Sequence, residues 1–384
     1  MTLVERFDEL LGRRVSMRAL ALLRIFAGPI TLLHLQPFLR SAADGVIYRD
    51  VFHESYASWY PELPRTIYVA ALVVGAVAAV TTTLGLFTRA STVTVFAVVA
   101  YNLFLSTTHF HHNRAYLVIV LAALAAAPCG RELSLDAVRR RCRELPELPG
   151  SAPGWPLGLL RFEASTVYVA SGLSKLLDPD WFGGTVTWDR VVRVRARIEA
   201  QSPLPDWVID VLANRTFHTF AAKVIVLTEL LIGLGLWSRR TRDVAVWVAV
   251  CFHVAIELSA SVQVFSYLAV AALVIWAVPS TRDRTLEVDR STAAGRRLAT
   301  AVRSLDWLAR FMVVDGNRTD RTDLDERRVP VRVTDRDGSV LHGWPAVVFV
   351  TSRLPLTAWF ALPLLLLPSA RAARRHPEPA AVPT

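Results

Sequence analysis

Residues 156–178 read PLGLLRFEASTVYVASGLSKLLD. The stretch is apolar and long enough to cross a hydrocarbon layer about 30 Å thick as one helix, which takes roughly 20 residues. Yet it carries Arg161, Glu163 and Lys175. On insertion scales a charge at mid-membrane costs about 2.5–3.5 kcal/mol. Such groups are tolerated where neighbouring helices shelter them, so the stretch predicts a membrane helix with partners. The fold class that follows is an all-α integral membrane helical bundle.

Outward from this helix the pattern repeats. The chain has 384 residues, 53% of them hydrophobic, and the apolar residues are bunched. Spans are expected near 17–39, 67–87, 91–108, 114–128, 156–178, 218–237, 242–260 and 262–279, about eight crossings by the length rule. The stretch 114–128 is short and ends at Pro128, so a seven-span arrangement with a re-entrant segment stays open. The first apolar run is too long for a signal-peptide core and lacks a convincing small-residue cleavage site. Ahead of it, 1–16 reads as an amphipathic lead-in, with Leu3, Val4, Phe7, Leu10 and Leu11 at helical spacing.

The net charge is +10, carried almost entirely by arginine, for the chain has two lysines, Lys175 and Lys223. Arginines cluster at the N-terminus, in 131–143 and in 238–242. With about eight spans these clusters share one side, which the positive-inside rule makes cytoplasmic together with both termini. The protein is thus expected in the cell membrane as a multi-pass chain whose partner is the lipid bilayer. No basic patch with interleaved aromatics occurs, which argues against nucleic acid. Segment 179–217, with Trp181, Trp188 and Trp207, suits an amphipathic interfacial helix. The cysteines Cys129, Cys142 and Cys251 are scattered, without metal-ligand or disulfide spacing.

Beyond residue 280 the composition changes. Residues 281–370 are expected to form a small α+β soluble or interfacial extension, and 371–384 a disordered tail. Val329–Thr334 alternates like a strand, and Asp337-Gly338 signals a hairpin turn before Ser339–Leu341. The apolar run Leu354–Pro368 is interrupted by Pro355 and Pro363 and reads as a packed or interfacial helix.

Ionisable groups inside the spans are the candidates for function: Arg24, Arg161, Glu163, Lys175, Lys223, Glu229, His253 and Glu257. Lys175 stands out. A lysine, unlike an arginine, can lose its proton when desolvated and so serve as a general base. Arg161, Tyr168 and Lys175 recur at seven-residue spacing and share a helical stripe. The bland alternative is that Lys175 snorkels to the head groups, and Lys223 is read that way too. His109, His111 and His112 with Asn113 and Arg114 form an interfacial turn, read as a polar turn or as hydrogen-bonding groups of a site; no carboxylate stands at metal-ligand spacing. His253 and Glu257 lie four apart on one helix, with Glu229 on the preceding one, as a buried polar set. Arg24 is expected to hold helices together, with Glu163 among its candidate partners.

The same residues carry a resemblance. Leu160-Arg161-Phe162-Glu163, Val167-Tyr168, Gly172, Ser174-Lys175-Leu176 and Asp178-Pro179-Asp180-Trp181 resemble the core motif of the vitamin K-dependent gamma-carboxylases. Phe252-His253 followed by Phe265-Ser266-Tyr267, and the opening Leu23-Arg24-Ile25-Phe26-Ala27-Gly28, are similar as well. The wider group is the HTTM domain family, and the likeness covers roughly 15–280. It implies that Lys175 is the base that deprotonates a reduced, vitamin K-like quinone, the co-substrate. Arg161, Tyr168, His111, His112, His253 and Tyr267 would then line the substrate site, without a metal.

Two departures bear on this. The family's Asn-His-Ser-Tyr-Leu is here Asn113-Arg114-Ala115-Tyr116-Leu117, and its Gln is Glu163. The large lumenal part that binds peptide substrate has no counterpart in this sequence. The resemblance therefore points to oxidation of a lipid-soluble quinol without peptide carboxylation. The alternative is a non-catalytic membrane protein that binds a lipid or a protein partner. Ser304–Arg310 and Asp337–Val340 also resemble the second half of DCC-type thiol oxidoreductases, without the Cys-x-x-Cys that their chemistry needs.

Overall fold

The computed structural model describes residues 12–45, 54–146, 148–201, 205–260, 264–279, 284–316 and 331–357. It divides into two compact units, Met1–Ala277 and Val278–Thr384.

The first unit is helical. Its long helices are α1 (Arg18–Ala43), α2 (Arg65–Leu84), α3 (Thr88–Phe104), α4 (His112–Ala126), and, after the short amphipathic α5 (Leu135–Cys142), α6 (Trp155–Leu177). Then come α7 (Pro179–Phe182), α8 (Thr185–Gln201), α9 (Asp206–Ala213), α10 (Arg215–Gly235), α11 (Arg242–Ala260), α12 (Val264–Ala272) and α13 (Val274–Ala277). Among the described residues, each of the eight expected spans is largely helical. Among the described residues, three helices, α1, α2 and α10, are long and apolar enough to cross a membrane, and α4 and Val264–Ala277 are shorter apolar helices.

Small residues set the packing. A Cβ on Gly28 of α1 would lie 1.9 Å from Thr83 Oγ1 and 2.6 Å from the Ala79 carbonyl of α2, so only glycine allows this approach. At the end of α2, Gly85 takes φ +66°, the left-handed conformation that terminates helices. Its missing Cβ leaves room for the Arg24 guanidinium. Arg24, fully buried, donates from Nη1 to the carbonyls of Thr82 (2.5 Å) and Thr83 (3.1 Å) and from Nη2 to that of Leu133 (2.6 Å). It thus caps the C-terminal end of α2 and does not pair with Glu163. The last carbonyls of a helix lack intrahelical partners, and a cation there also meets the negative end of the helix dipole.

Two local expectations change. Of the lead-in, residues 1–11 lie outside the described residues, but Arg14–Ser16 is not helical. It is strand β1, paired antiparallel with β2 (Ser151–Pro153). These short segments bring the entries of α1 and α6 together, and a ladder satisfies backbone groups that neither could satisfy alone. Segment 179–217 is broken into α7, α8 and α9, because Pro179, Gly183-Gly184 and Pro205 interrupt one continuous helix.

The second unit holds a four-stranded sheet in the order β4 (Met312–Asp315), β3 (Thr285–Val288), β5 (Val331–Thr334), β6 (Val340–His342). β3 and β4 run parallel, joined through α14 (Ala293–Leu305); β5 pairs antiparallel with both β3 and β6. The hairpin turns where Asp337-Gly338 predicts it, with Gly338 at φ +82°. Leu286, Val288, Val302, Phe311, Val333, Leu341 and Phe349 form the core. The helix over this sheet is α15 (Gly343–Thr351). It begins upstream of the expected apolar run, of which only 354–357 lie among the described residues and form a turn.

Candidate functional site

The site is built on α6 and α10. Gly233 of α10 lies so close to α6 that a Cβ would meet Val169 at 2.7 Å. Ser165 Oγ donates to the Gly233 carbonyl at 2.8 Å, and Trp237 Nε1 donates to Ser165 Oγ at 2.8 Å. Gly172, further along α6, sits against Leu230 and Glu229. This register puts Lys175 opposite Glu229. Its Nζ lies 2.6 Å from Oε1 and 2.7 Å from Oε2, and 2.5 Å from Ser171 Oγ. Ser171 Oγ in turn reaches Glu229 Oε1 at 3.2 Å. Both side chains are largely buried, 13% and 8% exposed. At the end of α6, Asp178 accepts the amides of Asp180 and Trp181. That turn sets the Trp181 ring 5.0 Å from the Lys175 ammonium, a cation–π contact.

The ion pair forms part of the wall of a cavity of about 790 Å³. Tyr168 and Glu163 line it from α6, His112, Asn113 and Tyr116 from α4, and Phe252 and His253 from α11. Thr187, Arg190 and Val191 of α8 and Val208 and Leu212 of α9 close one side, so the broken segment serves as a cover. The cover is fastened through His218, whose ring nitrogens lie 3.1 Å from Thr187 Oγ1 and 2.5 Å from the Leu212 carbonyl. Tyr168 Oη meets His253 Nε2 at 2.8 Å. His253 is 2% exposed and stands edge-on to the rings of Phe252 and Phe265. Its Nδ1 is buried without a hydrogen-bond partner among the described residues.

The expected site residues separate. Lys175, Tyr168, His253 and His112 come together on the cavity. Arg161 does not line it; it donates to the Ile275 carbonyl at 3.0 and 2.7 Å and lies over the Trp276 ring. The cause is helical drift: a seven-residue step falls short of two full turns by about 20°, so two such steps rotate Arg161 away from the Lys175 face. Tyr267 lines a second, nearly wholly apolar groove of about 480 Å³ with Phe26, Pro29 and Ile30 of α1; His253 borders both spaces. His111 accepts the Asn113 amide at the start of α4. Burial first, then the positive neighbours Arg114, His112 and Arg190, hold its imidazole below the usual range. His109 turns to the Asn102 carbonyl at 2.9 Å, and Arg114 donates to the His109 carbonyl at 2.6 Å.

Sequence reading missed the partnership of Glu229 with Lys175, and with it Ser171, Trp181 and Arg190. A signal was present: Glu229 is the one acid in 215–235, and a buried lysine in lipid needs a carboxylate. The described residues hold no cluster of three or more His, Cys, Asp or Glu able to bind a metal ion.

Long apolar helices around an enclosed ion pair define a membrane-associated helical protein. Residues 13–280 match the HTTM domain, and the chain belongs to that family. Comparison with curated proteins and with solved structures gives no match.

Proposed function

We propose that this is a multi-pass membrane protein of about eight crossings that admits a lipid-soluble quinol and oxidises it with dioxygen. One observation carries the reading: a lysine held against a carboxylate on the wall of a largely apolar cavity of about 790 Å³. That volume falls within the roughly 300–1,000 Å³ of small-molecule sites. The likeness of the Lys175 helix to the gamma-carboxylase motif names the chemistry.

In this reading the Lys175–Glu229 pair takes the proton of a quinol hydroxyl. Lys175 can accept it only after passing its own proton to Glu229, because an ammonium has no free electron pair; the Glu229 carboxylate lies within hydrogen-bond reach to take that proton. The quinolate then reacts with dioxygen; one oxygen atom stays on the ring as an epoxide and the other leaves as water. Tyr168 and His253 orient the ring from the cavity wall, and His112 from the mouth.

The test is purified protein with reduced naphthoquinone and oxygen. Epoxide is expected from the wild type and not from Lys175→Ala; equal background product from both refutes the catalytic reading. The second reading, a non-catalytic lipid-binding protein, is favoured by the saturation of the ammonium itself. It expects no epoxide from either protein but ligand binding by both. In the second unit, the βαβ arrangement supports the likeness to DCC-type thiol oxidoreductases, where such a unit carries Cys-x-x-Cys. Without that pair it is read as a remnant lacking redox chemistry.

A further inference from the structure

The cavity is not uniform along its length. Much of its wall is apolar, with Val167, Ile225, Ile256 and Phe252 among the lining residues. The end where α4 begins and α6 finishes carries Arg190 and His112 on its wall. His111 and Arg114 stand close behind, near enough for Arg114, His112 and Arg190 all to depress the His111 imidazole.

Two carboxylates near this end are ion-paired. Glu229 is held by Lys175, and Asp189 by Arg193 at 2.6 Å. Asp178 is turned to the amides of Asp180 and Trp181. Arg190 is exposed and has no carboxylate partner among the described residues. Glu163 lies three turns of α6 away from Lys175, about 18 Å at 1.5 Å per residue. This end of the cavity thus carries the Arg190 guanidinium, without a carboxylate partner among the described residues, beside residues from the start of α4, the positive end of that helix's dipole.

We propose that the cavity binds a single-chain amphiphile with an anionic head, a carboxylate or a phosphate monoester, whose head is held by Arg190 and His112 at this mouth. Arg190 offers a planar fork suited to two acceptor oxygens. The volume of about 790 Å³ suits one chain and a compact head. This rests on the cavity taking a lipid-soluble molecule, but not on its oxidation.

The experiment uses the full chain in detergent with a fluorescent polyene fatty acid as reporter. Hexadecanoate, hexadecyl phosphate and hexadecanol are each used as competitor. At least one anion is expected to compete about tenfold better than the alcohol, the size of effect that hydrogen bonds to a charged group produce; which anion wins separates carboxylate from phosphate. Arg190→Gln, at an exposed position, should remove most of that preference and leave competition by the alcohol unchanged. His112→Gln should reduce it less. Equal competition by alcohol and anions in the wild type overturns the proposal while leaving the cavity as a lipid site. Failure of every chain to bind overturns both. A preference that survives Arg190→Gln together with His112→Gln overturns the assignment of the head to this mouth.

Discussion

Arg24 and Lys175 are both buried cations in one helical unit, and their surroundings differ in kind. Arg24 is fully buried and surrounded by backbone, with carbonyls of α2 and of Leu133 as its acceptors. No cavity described in this unit touches it. Lys175 has a carboxylate, a hydroxyl and an aromatic ring as partners, and open space beside it. Burial of a charge marks expense in both places. The empty volume next to the charge distinguishes a group free to meet a ligand from one that closes a helix end.

The contrast can be broken by substitution. Arg24→Leu should have the largest effect. It leaves the Thr83 and Leu133 carbonyls without their guanidinium donor, while Thr82 keeps the Gly85 amide, and each unmet buried group costs about 1–3 kcal/mol. A loss of about 4 kcal/mol follows, read as a fall in the thermal unfolding midpoint in detergent; a change within error would show that Arg24 is not the cap of α2.

Glu229→Gln should cost less, about 2–3 kcal/mol. Removing one partner of a buried pair is normally worth about 3–5 kcal/mol, but here the cavity can admit water to the orphaned ammonium. The double change Lys175→Met with Glu229→Leu should recover most of that loss, since an apolar pair needs no compensation. If the double variant is as unstable as the sum of its single variants, the two groups are not coupled.

The smallest effect belongs to Asp136, in the first turn of α5. Asp136 accepts from the Phe87 amide at 2.9 Å and from the Thr88 amide and Oγ1 at 2.7 Å each. Burial alone would raise its pKa; the hydrogen bonds from Thr88 and Phe87, with Arg139, outweigh this and lower it. A carboxyl depressed in the folded state contributes stability above its unfolded value, near 3.9, and loses it as pH falls through the lower folded value. Asp136→Asn should therefore cost about 1 kcal/mol at neutral pH and progressively less below about pH 4. An equal cost at pH 3 and pH 7 would remove Asp136 from this role.

Much of this was legible beforehand. The helical stretches follow from apolar runs, and the hairpin from Asp337-Gly338. Tyr168 and Lys175 share a face because seven residues nearly complete two turns. Arg161, two such steps away, leaves that face because the small offset per step accumulates. The strand Arg14–Ser16 escaped because three residues have no period to read and its partner lies at Ser151–Pro153.

The sequence by itself determined that the chain is helical with long apolar stretches suited to a membrane, and that Lys175 is an unusual residue in them, since hydropathy and residue choice are local properties. Only the tertiary structure decided what Lys175 faces. Glu229 and His253 reach the site from other helices across contacts that no local spacing encodes, brought there by the close approach that Gly172 and Gly233 allow. Whether a buried charge meets packed backbone, as Arg24 does, or a cavity, as Lys175 does, depends on how separate helices fit together.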